Sequence, residues 1–597
     1  MRKLVIALSL LAVALLSLSG VFDNEAMYGR IHADAQGYYG YLVATFIEHS
    51  FDWQEVIQPY ADTYFNGAAA DFTVQSEHGR INKYYAGTAV LILPFFLVAC
   101  LAAWLFGFPI DGYSEPFQLG IVFSALFYAG VGMYYLSKFL ERKGISKPVA
   151  LFSVVAGLFG TGLFHYSISE AAMSHVYSFG LVSLFMYRVD KWLQNSNRSD
   201  LIWSSLVFGL IVLVRPVNGL VIFSVPFIAG GVAPLIDKLK SNQRLFKQLS
   251  IGIALVFSVL LFQVLMYLAQ VGKPLVWSYQ DEGFNFLNPE IINVLFSYKK
   301  GFFIYTPLAG LGLFGLMIYL FERPKQGAWI WLFLGLVVYV ISCWWNWYYG
   351  GSFGHRAMIE YLPFFIFGLA YLMQQSSKPA QLTIFGLCSF FVYLNLVQSY
   401  QYQKFILHWD GMSKERYWEV FMETDREFDG IFYRQKQELV PLSEQEIIEI
   451  VVFDSDLEEG TTWGSQGFTT EKAFSGVQSS RVNSESKYGT TLGVPAKEIG
   501  ITGRKQLRIT AMVWSERTFP SLSIAYSYRR NEGDYGHDYI GIGQLVTKKK
   551  VWVKVEHLVP ISLALDENHT WIVYPISDDE GTIYLDDIRY EIMTLKE

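Results

Sequence analysis

Long apolar runs fill the first two thirds of the chain and are missing from the last third, and this contrast limits the fold more than any motif does. Crossing ~30 Å of hydrocarbon takes about 20 mostly apolar residues. Runs of that kind, or a little shorter, lie near 4–20, 86–106, 117–137, 148–165, 171–187, 201–214, 218–232, 249–270, 301–321, 328–343, 357–373 and 381–399. Residues 1–400 carry 24 Lys and Arg and 21 Asp and Glu, 45 of 400 or 11%. Residues 401–597 carry 22 and 32, 54 of 197 or 27%, an ordinary water-facing proportion. The sequence predicts a polytopic membrane domain over 1–400, a connecting helix and linker over 401–450, and an outer domain over 451–597. A net charge of −7 with only weak Lys/Arg clustering argues against a nucleic-acid binder. Cys100, Cys343 and Cys388 all lie in apolar runs, so the polar third has no cysteine for a disulfide framework or a thiolate metal site.

Charge also predicts orientation. The loops 138–147, 188–200, 233–248 and 322–327 are basic, whereas 107–116 and 166–170 contain no Lys or Arg. Basic loops stay in the cytoplasm. The run 4–20, preceded by Arg2 and Lys3, reads as an uncleaved anchor that delivers residue 21 to the outer face. Residues 21 and 110 then lie on the same side, so the run 86–106 is expected not to cross. With Pro94 near its middle, it reads as a bent helix embedded from the outer side. The count becomes about eleven crossings of the cytoplasmic (inner) membrane, with the N-terminus inside and the polar domain outside.

The outward loops collect isolated polar groups. Asp34 and Tyr38, four apart in Asp34-Ala35-Gln36-Gly37-Tyr38-Tyr39, share a helix face. Asp34 reads either as an N-cap on an interfacial amphipathic helix, with Tyr38, Leu42 and Thr45–Phe46 on its apolar side, or as a carboxylate base at the membrane surface. Lys83 precedes the 86–106 run at headgroup depth, where it either snorkels or holds a phosphate. Glu170 and His175 are rare polar groups beside hydrocarbon and need partners. Arg215 stands at an outer helix end, and Lys299-Lys300 open another helix from outside. In Trp344-Trp345-Asn346-Trp347-Tyr348-Tyr349-Gly350-Gly351-Ser352-Phe353-Gly354-His355-Arg356 the tryptophans fit an interface belt. Arg356 and Glu360 are spaced to pair on a helix. Cations at headgroup level suit a lipid phosphate, an ionised carboxylate suits deprotonation of a hydroxyl, and sugars stack on Trp and Tyr.

Taken in order, Asp34-Ala35-Gln36-Gly37-Tyr38-Tyr39, Lys83-Tyr84-Tyr85-Ala86-Gly87, Met173-Ser174-His175, Arg215-Pro216 and Gly350-Gly351-Ser352-Phe353-Gly354-His355-Arg356 resemble the GT-C fold membrane glycosyltransferases. The resemblance is to the dolichyl-phosphate-mannose protein mannosyltransferase and aminoarabinose transferase type, over about residues 5–400. It implies an inverting transfer from a polyprenyl-phosphate sugar to a hydroxyl of a glycan, lipid or protein. Asp34 would be the base, and Lys83, with Arg215 and Arg356, would hold the donor phosphate. Tyr38, Glu170, His175 and His355 would support the site. No cofactor or metal is expected. Two positions depart from the family pattern: Ala35 where a second acid is frequent, and Tyr85 where proline is common.

From about 451 the pattern is period two, as in Leu507-Arg508-Ile509-Thr510-Ala511-Met512-Val513-Trp514, which predicts an all-β sandwich. The runs Phe474–Ser480 and Tyr584–Ile588 resemble carbohydrate-binding jelly-roll modules. Trp463, Trp514, Trp552 and Trp571 are candidates for core or for sugar platforms, and Asp454 and Asp586 for a structural calcium. The competing reading of the whole chain is a transporter or flippase of lipid-linked saccharides. That class carries inverted repeats and paired broken helices at the midplane, and the sequence displays neither.

Overall fold

In residues 1–425 the apolar runs become helices whose outer faces carry large apolar side chains. On the helix Arg2–Leu18 the residues Leu4, Leu8, Leu11, Leu15 and Leu18 are each more than half exposed. In the most apolar 18 residues of the helix Phe246–Val271 only 11% are buried. Faces of this size and apolarity are unstable against water and stable against lipid. The computed structural model describes residues 1–20, 30–64, 72–241, 245–280, 282–425, 428–429, 447–458, 461, 463–500, 504–530, 533–561, 569–579 and 581–595. They divide into two units, Met1–Asp425 and Arg426–Glu597.

At the centre of the first unit, Leu362–Gln375 is buried along Leu362–Met373. It packs backbone to backbone against Pro307–Glu322: a Cβ on Gly315 would fall 1.9 Å from the Gly368 carbonyl oxygen. Small residues at such a crossing allow the close approach on which helix association in lipid depends. Among the described residues six helices are long and apolar enough to cross a membrane, or seven if the pair bent by 89° between Pro216–Ala229 and Val232–Lys240 is one span. This is below the expected eleven, because several apolar runs form shorter helices, such as Lys147–Phe159 and Pro307–Glu322. Residues 404–425 also differ from a linker. They fold back on the helical unit, with Tyr417 buried against Tyr305 and Tyr298 and its hydroxyl accepting from Gln398 at 2.7 Å. Residues 430–446 of the expected linker lie outside the described residues.

Polar contacts fix the ends of the bundle. Arg2 pairs with Glu141 at 2.5 Å at one end of the antiparallel helices Arg2–Leu18 and Glu115–Arg142. At the other end the Arg30 amide donates to Gln118 Oε1 at 2.7 Å and its guanidinium to Ser17 Oγ at 3.2 Å. Residues 30–34 and 111–118 therefore share one end. The helix Gly87–Phe106 is continuous through Pro94. A proline there removes one backbone hydrogen bond, a loss that a helix in apolar surroundings tolerates. Both of its flanks lie against the helix Asp34–Phe46. Before it, the hairpin of β1 (Thr73–Ser76) and β2 (Gly79–Asn82) brings Asn82 Nδ2 to the Gly37 carbonyl at 2.8 Å. After it, the Tyr39 hydroxyl donates to the Gly112 carbonyl at 2.5 Å.

The second unit is a sandwich of two antiparallel sheets. Its strands are β3 (Ile447–Ser455), β4 (Phe468–Thr469), β5 (Ser479–Val482), β6 (Leu492–Pro495), β7 (Arg504–Ser515), β8 (Leu522–Arg530), β9 (Gly533–Gly541), β10 (Trp552–Ile561), β11 (Thr570–Ser577) and β12 (Ile583–Leu595). One sheet has the order β10-β7-β12-β5-β4, with β3 on β12, and the other β6-β11-β8-β9. Leu507, Ile509, Ala511 and Val513 of β7 meet Ile524, Trp571 and Val573 of the facing sheet in one core. On β12 the inward set changes phase, from Ile583 and Leu585 to Ile588, Tyr590 and Ile592. The register shifts between Asp586 and Arg589, where Asp587 has φ 46°, and this bulge keeps both halves of the strand facing the core. The Asp586 carboxylate accepts from the backbone N–H groups of Phe474 (2.7 Å) and Ser475 (3.2 Å), while Asp454 faces Arg589 at 3.8 Å. The two aspartates are thus committed to different partners and not to a shared calcium. Trp463 and Trp571 are core, and Trp514 and Trp552 are half-buried neighbours across β7 and β10.

Because the ends of the bundle are fixed in this way, single cysteines at Glu77 and Glu115 in a cysteine-free background should label from one side of the membrane and one at Ser146 from the other. All three positions are exposed. Labelling of Glu115 and Ser146 from the same side would break the arrangement.

Candidate active site

The helix Asp34–Phe46 begins with its functional residue. Asp34 is its first helical residue; the N-cap is Ala33, at φ 49°, and no side chain caps the helix. A positive φ at alanine costs of order 1–3 kcal/mol and persists only when surroundings enforce it. The capping role therefore fails, since the carboxylate turns instead to Arg356, whose Nη2 lies 2.6 Å from Oδ2. The helix is also not interfacial. Every residue from Ala35 to Ala44 is buried, enclosed by the β1–β2 hairpin and the 111–113 turn. Gly37 permits this, since a Cβ there would fall 2.3 Å from the Tyr84 ring.

Burial alone would raise the Asp34 pKa. Arg356, the Tyr84 hydroxyl and Lys83 outweigh it and hold the carboxyl below its ordinary value of 3.8. Asp34 is therefore ionised at neutral pH, and its side chain is 25% exposed.

Arg356 does not pair with Glu360 as the spacing suggested. Arg356–Tyr361 is a 3-10 helix, with three residues per turn, so positions i and i+4 leave a common face. Glu360, fully buried, instead meets Arg215 Nη1 at 2.8 Å and His175 Nδ1 at 3.0 Å. Lys83 pairs with Glu282 at 3.3 Å. Each of the three expected phosphate-binding cations thus has one carboxylate partner: Asp34, Glu360 or Glu282.

These groups converge on one cavity of about 180 Å³. It is lined by Asp34, Tyr38, Lys83, His175, Arg215 and Arg356, with Tyr84, Tyr279, Glu282, Trp344, Trp345, Asn346, Tyr349 and Gly350. The lining carries three basic side chains, Lys83, Arg215 and Arg356, and two carboxylates, Asp34 and Glu282. Trp344 and Trp345, read from sequence as an interface belt, are part of this wall. An apolar cavity of about 110 Å³ shares Tyr38, Arg215, Tyr279, Trp344 and Tyr349 with it and adds Tyr85, Val214, Pro216, Val217, Trp277 and Phe284.

The wall that carries Arg356 is a glycine turn. Gly350 and Gly354 have φ of 67° and 57°, a region that favours glycine. Lys300 secures the turn by donating to the carbonyls of Ser352 and Trp409, and burial pushes its ammonium down to about 7. Lys299 lies over the Tyr348 ring at 3.4 Å and 3.7 Å from Asp410. Both lysines are buried, so neither reaches lipid headgroups.

Two expected supporting residues lie outside the cavity lining. Glu170 is buried against His165 Nε2 at 3.3 Å. His355 Nε2 lies 3.0 Å from the Trp347 carbonyl oxygen and holds the glycine turn from behind. Glu282 was missed, although an acid among so few, following a long apolar run, was a usable signal.

No family model and no curated protein matches the chain. Similar solved structures include the arabinosyltransferase EmbB from Mycobacterium smegmatis, 9% identical with a TM-score of 0.40, over 99% of this chain and 64% of that one. Another is the apo oligosaccharyltransferase of Archaeoglobus fulgidus, 11% identical with a TM-score of 0.38, over 73% of this chain and 59% of that one. The Archaeoglobus oligosaccharyltransferase AglB in complex with an inhibitory peptide and a dolichol-phosphate is 10% identical with a TM-score of 0.36, over 70% and 57%. The chain spans about three fifths of the length of these three solved structures.

The Asp34–Arg356 pair can be tested by a double-mutant cycle of Asp34→Asn and Arg356→Gln read by thermal unfolding. A carboxyl with a lowered folded-state pKa stabilises above its unfolded value and loses that contribution as pH falls through the folded value. The cycle should show a coupling of about 1 kcal/mol or more at pH 7, fading below pH 3.8. Additive effects at pH 7 would remove the pair from the account.

Proposed function

We propose that the chain is an integral membrane glycosyltransferase that moves a sugar from a polyprenyl-phosphate donor to an acceptor hydroxyl, with inversion. The observation that carries this reading is the cavity itself, which gathers the ionised Asp34 carboxylate, cations and aromatic rings in one lining. Asp34 accepts the proton of the acceptor hydroxyl as its oxygen bonds to the anomeric carbon. The bond from that carbon to the phosphate oxygen breaks, and the lipid phosphate leaves with the electron pair.

The cations suit that leaving group. Negative charge developing on the phosphate is stabilised by donors already in place. Lys83 and Arg356 supply those donors by turning from their carboxylates, and Arg215 shares its guanidinium between Glu360 and the phosphate. Trp344, Trp345 and Tyr349 offer faces for a sugar ring, and the adjoining apolar cavity fits the first isoprene units of the carrier. The acceptor is a glycan, lipid or protein hydroxyl on the membrane's outer face.

In transfer assays with radiolabelled polyprenyl-phosphate sugars, Asp34→Asn should reduce kcat by roughly 10²–10⁴ with donor KM little changed. Lys83→Met should instead raise the donor KM. Near-normal turnover by Asp34→Asn would falsify the assignment of the base, and an unchanged donor KM in Lys83→Met would remove that lysine from the phosphate site.

A further inference from the structure

A second polar cavity lies at the other end of the helical unit. Its volume is about 420 Å³. The helix Glu115–Arg142 relates the two ends: Gln118, bonded to Arg30, stands at the active-site end, and Arg142 lines the second cavity. At 1.5 Å per residue the 24 steps between them span about 36 Å. No step of the proposed transfer uses this cavity.

Its charges are unbalanced. Arg142, Lys143 and Arg323 line it against the single carboxylate of Asp190. Asp190 is 1% exposed and is shared: Arg142 donates to one oxygen and Lys143 lies 2.7 Å from the other. Arg323 is exposed and makes no ion pair within 4 Å among the described residues. The neutral groups add donors as well. Tyr319 donates to Gln326 Oε1 at 2.6 Å, leaving the Gln326 amide N–H groups for the cavity beside Gly230. The floor is apolar, with Phe227, Ile228 and Phe367.

We infer that this cavity binds the phosphate of an anionic phospholipid headgroup. Three cations and an amide meet the phosphate oxygens, and the apolar floor together with the lipid-exposed helix faces receives the acyl chains. Basic pockets between helices at a membrane surface select such headgroups. A bound phosphate would bridge Arg142 and Lys143 on one side to Arg323 on the other, fastening two parts of the bundle. A free phosphate ion offers the same oxygens without the chains.

The test uses the detergent-solubilised full chain, with phosphatidylglycerol, phosphatidylcholine or inorganic phosphate as the probe. Adducts are counted by native mass spectrometry and stability is followed by thermal unfolding. Phosphatidylglycerol should bind and raise the unfolding temperature more than phosphatidylcholine. Arg323→Gln should weaken its binding about fivefold, and Lys325→Gln, outside the lining, should not. If inorganic phosphate alone gives the full stabilisation and Arg323→Gln abolishes it, the phosphate site stands and its ligand is the soluble anion. Equal binding of the two lipids, or equal weakening by Arg323→Gln and Lys325→Gln, overturns the proposal.

Discussion

The ion pair between Asp34 and Arg356 joins the first segment after the leading helix to the turn that opens the central buried helix. Its 2.6 Å contact sets the position of the carboxylate and of the wall opposite it. Asp34 is not spent as a helix cap, and Ala33 holds a strained backbone in its place. Arg356 is not spent on its helical neighbour, because the 3-10 turn directs Glu360 elsewhere. Both departures from local rules occur at the same pair, where strain is expected to collect if the site performs chemistry.

A cavity in a lipid-facing bundle cannot hold unpaired charge cheaply. This accounts for the carboxylate partners of Arg215, Lys83 and Arg356. It also limits the chemistry. An anionic ligand must compete with carboxylates already present, so it is favoured only if it meets several cations at once, as a phosphate does. A neutral sugar gains less from the cations and more from Trp344 and Tyr349.

Much of this was legible in the sequence. Asp34, Tyr38, Lys83, His175, Arg215 and Arg356 were each singled out as polar groups in apolar surroundings, and all six line one cavity. The membrane helices followed from the length of the apolar runs and the β sandwich from period-two alternation. What could not be read were the pairings, since Lys83 meets Glu282 and His175 meets Glu360 across 199 and 185 residues. Glu170 drew attention by the same rule and His355 through the resemblance, yet both lie outside the lining, because burial demands a partner whether or not a group reacts. The Asp587 bulge on β12 was likewise invisible, since a one-residue phase change looks like a break in the pattern.

In the proposed reaction this cavity receives a lipid-linked phosphate beside Asp34. The most direct measurement is a cryo-EM structure of the chain in lipid nanodiscs with a polyprenyl phosphate bound. Phosphate density is expected within hydrogen-bonding distance of at least two of Lys83, Arg215 and Arg356, with the Lys83–Glu282 contact opened and the isoprenoid chain along Trp277, Phe284 and Val217. Phosphate density elsewhere on the bundle, with all three cations still on their carboxylates, would contradict it.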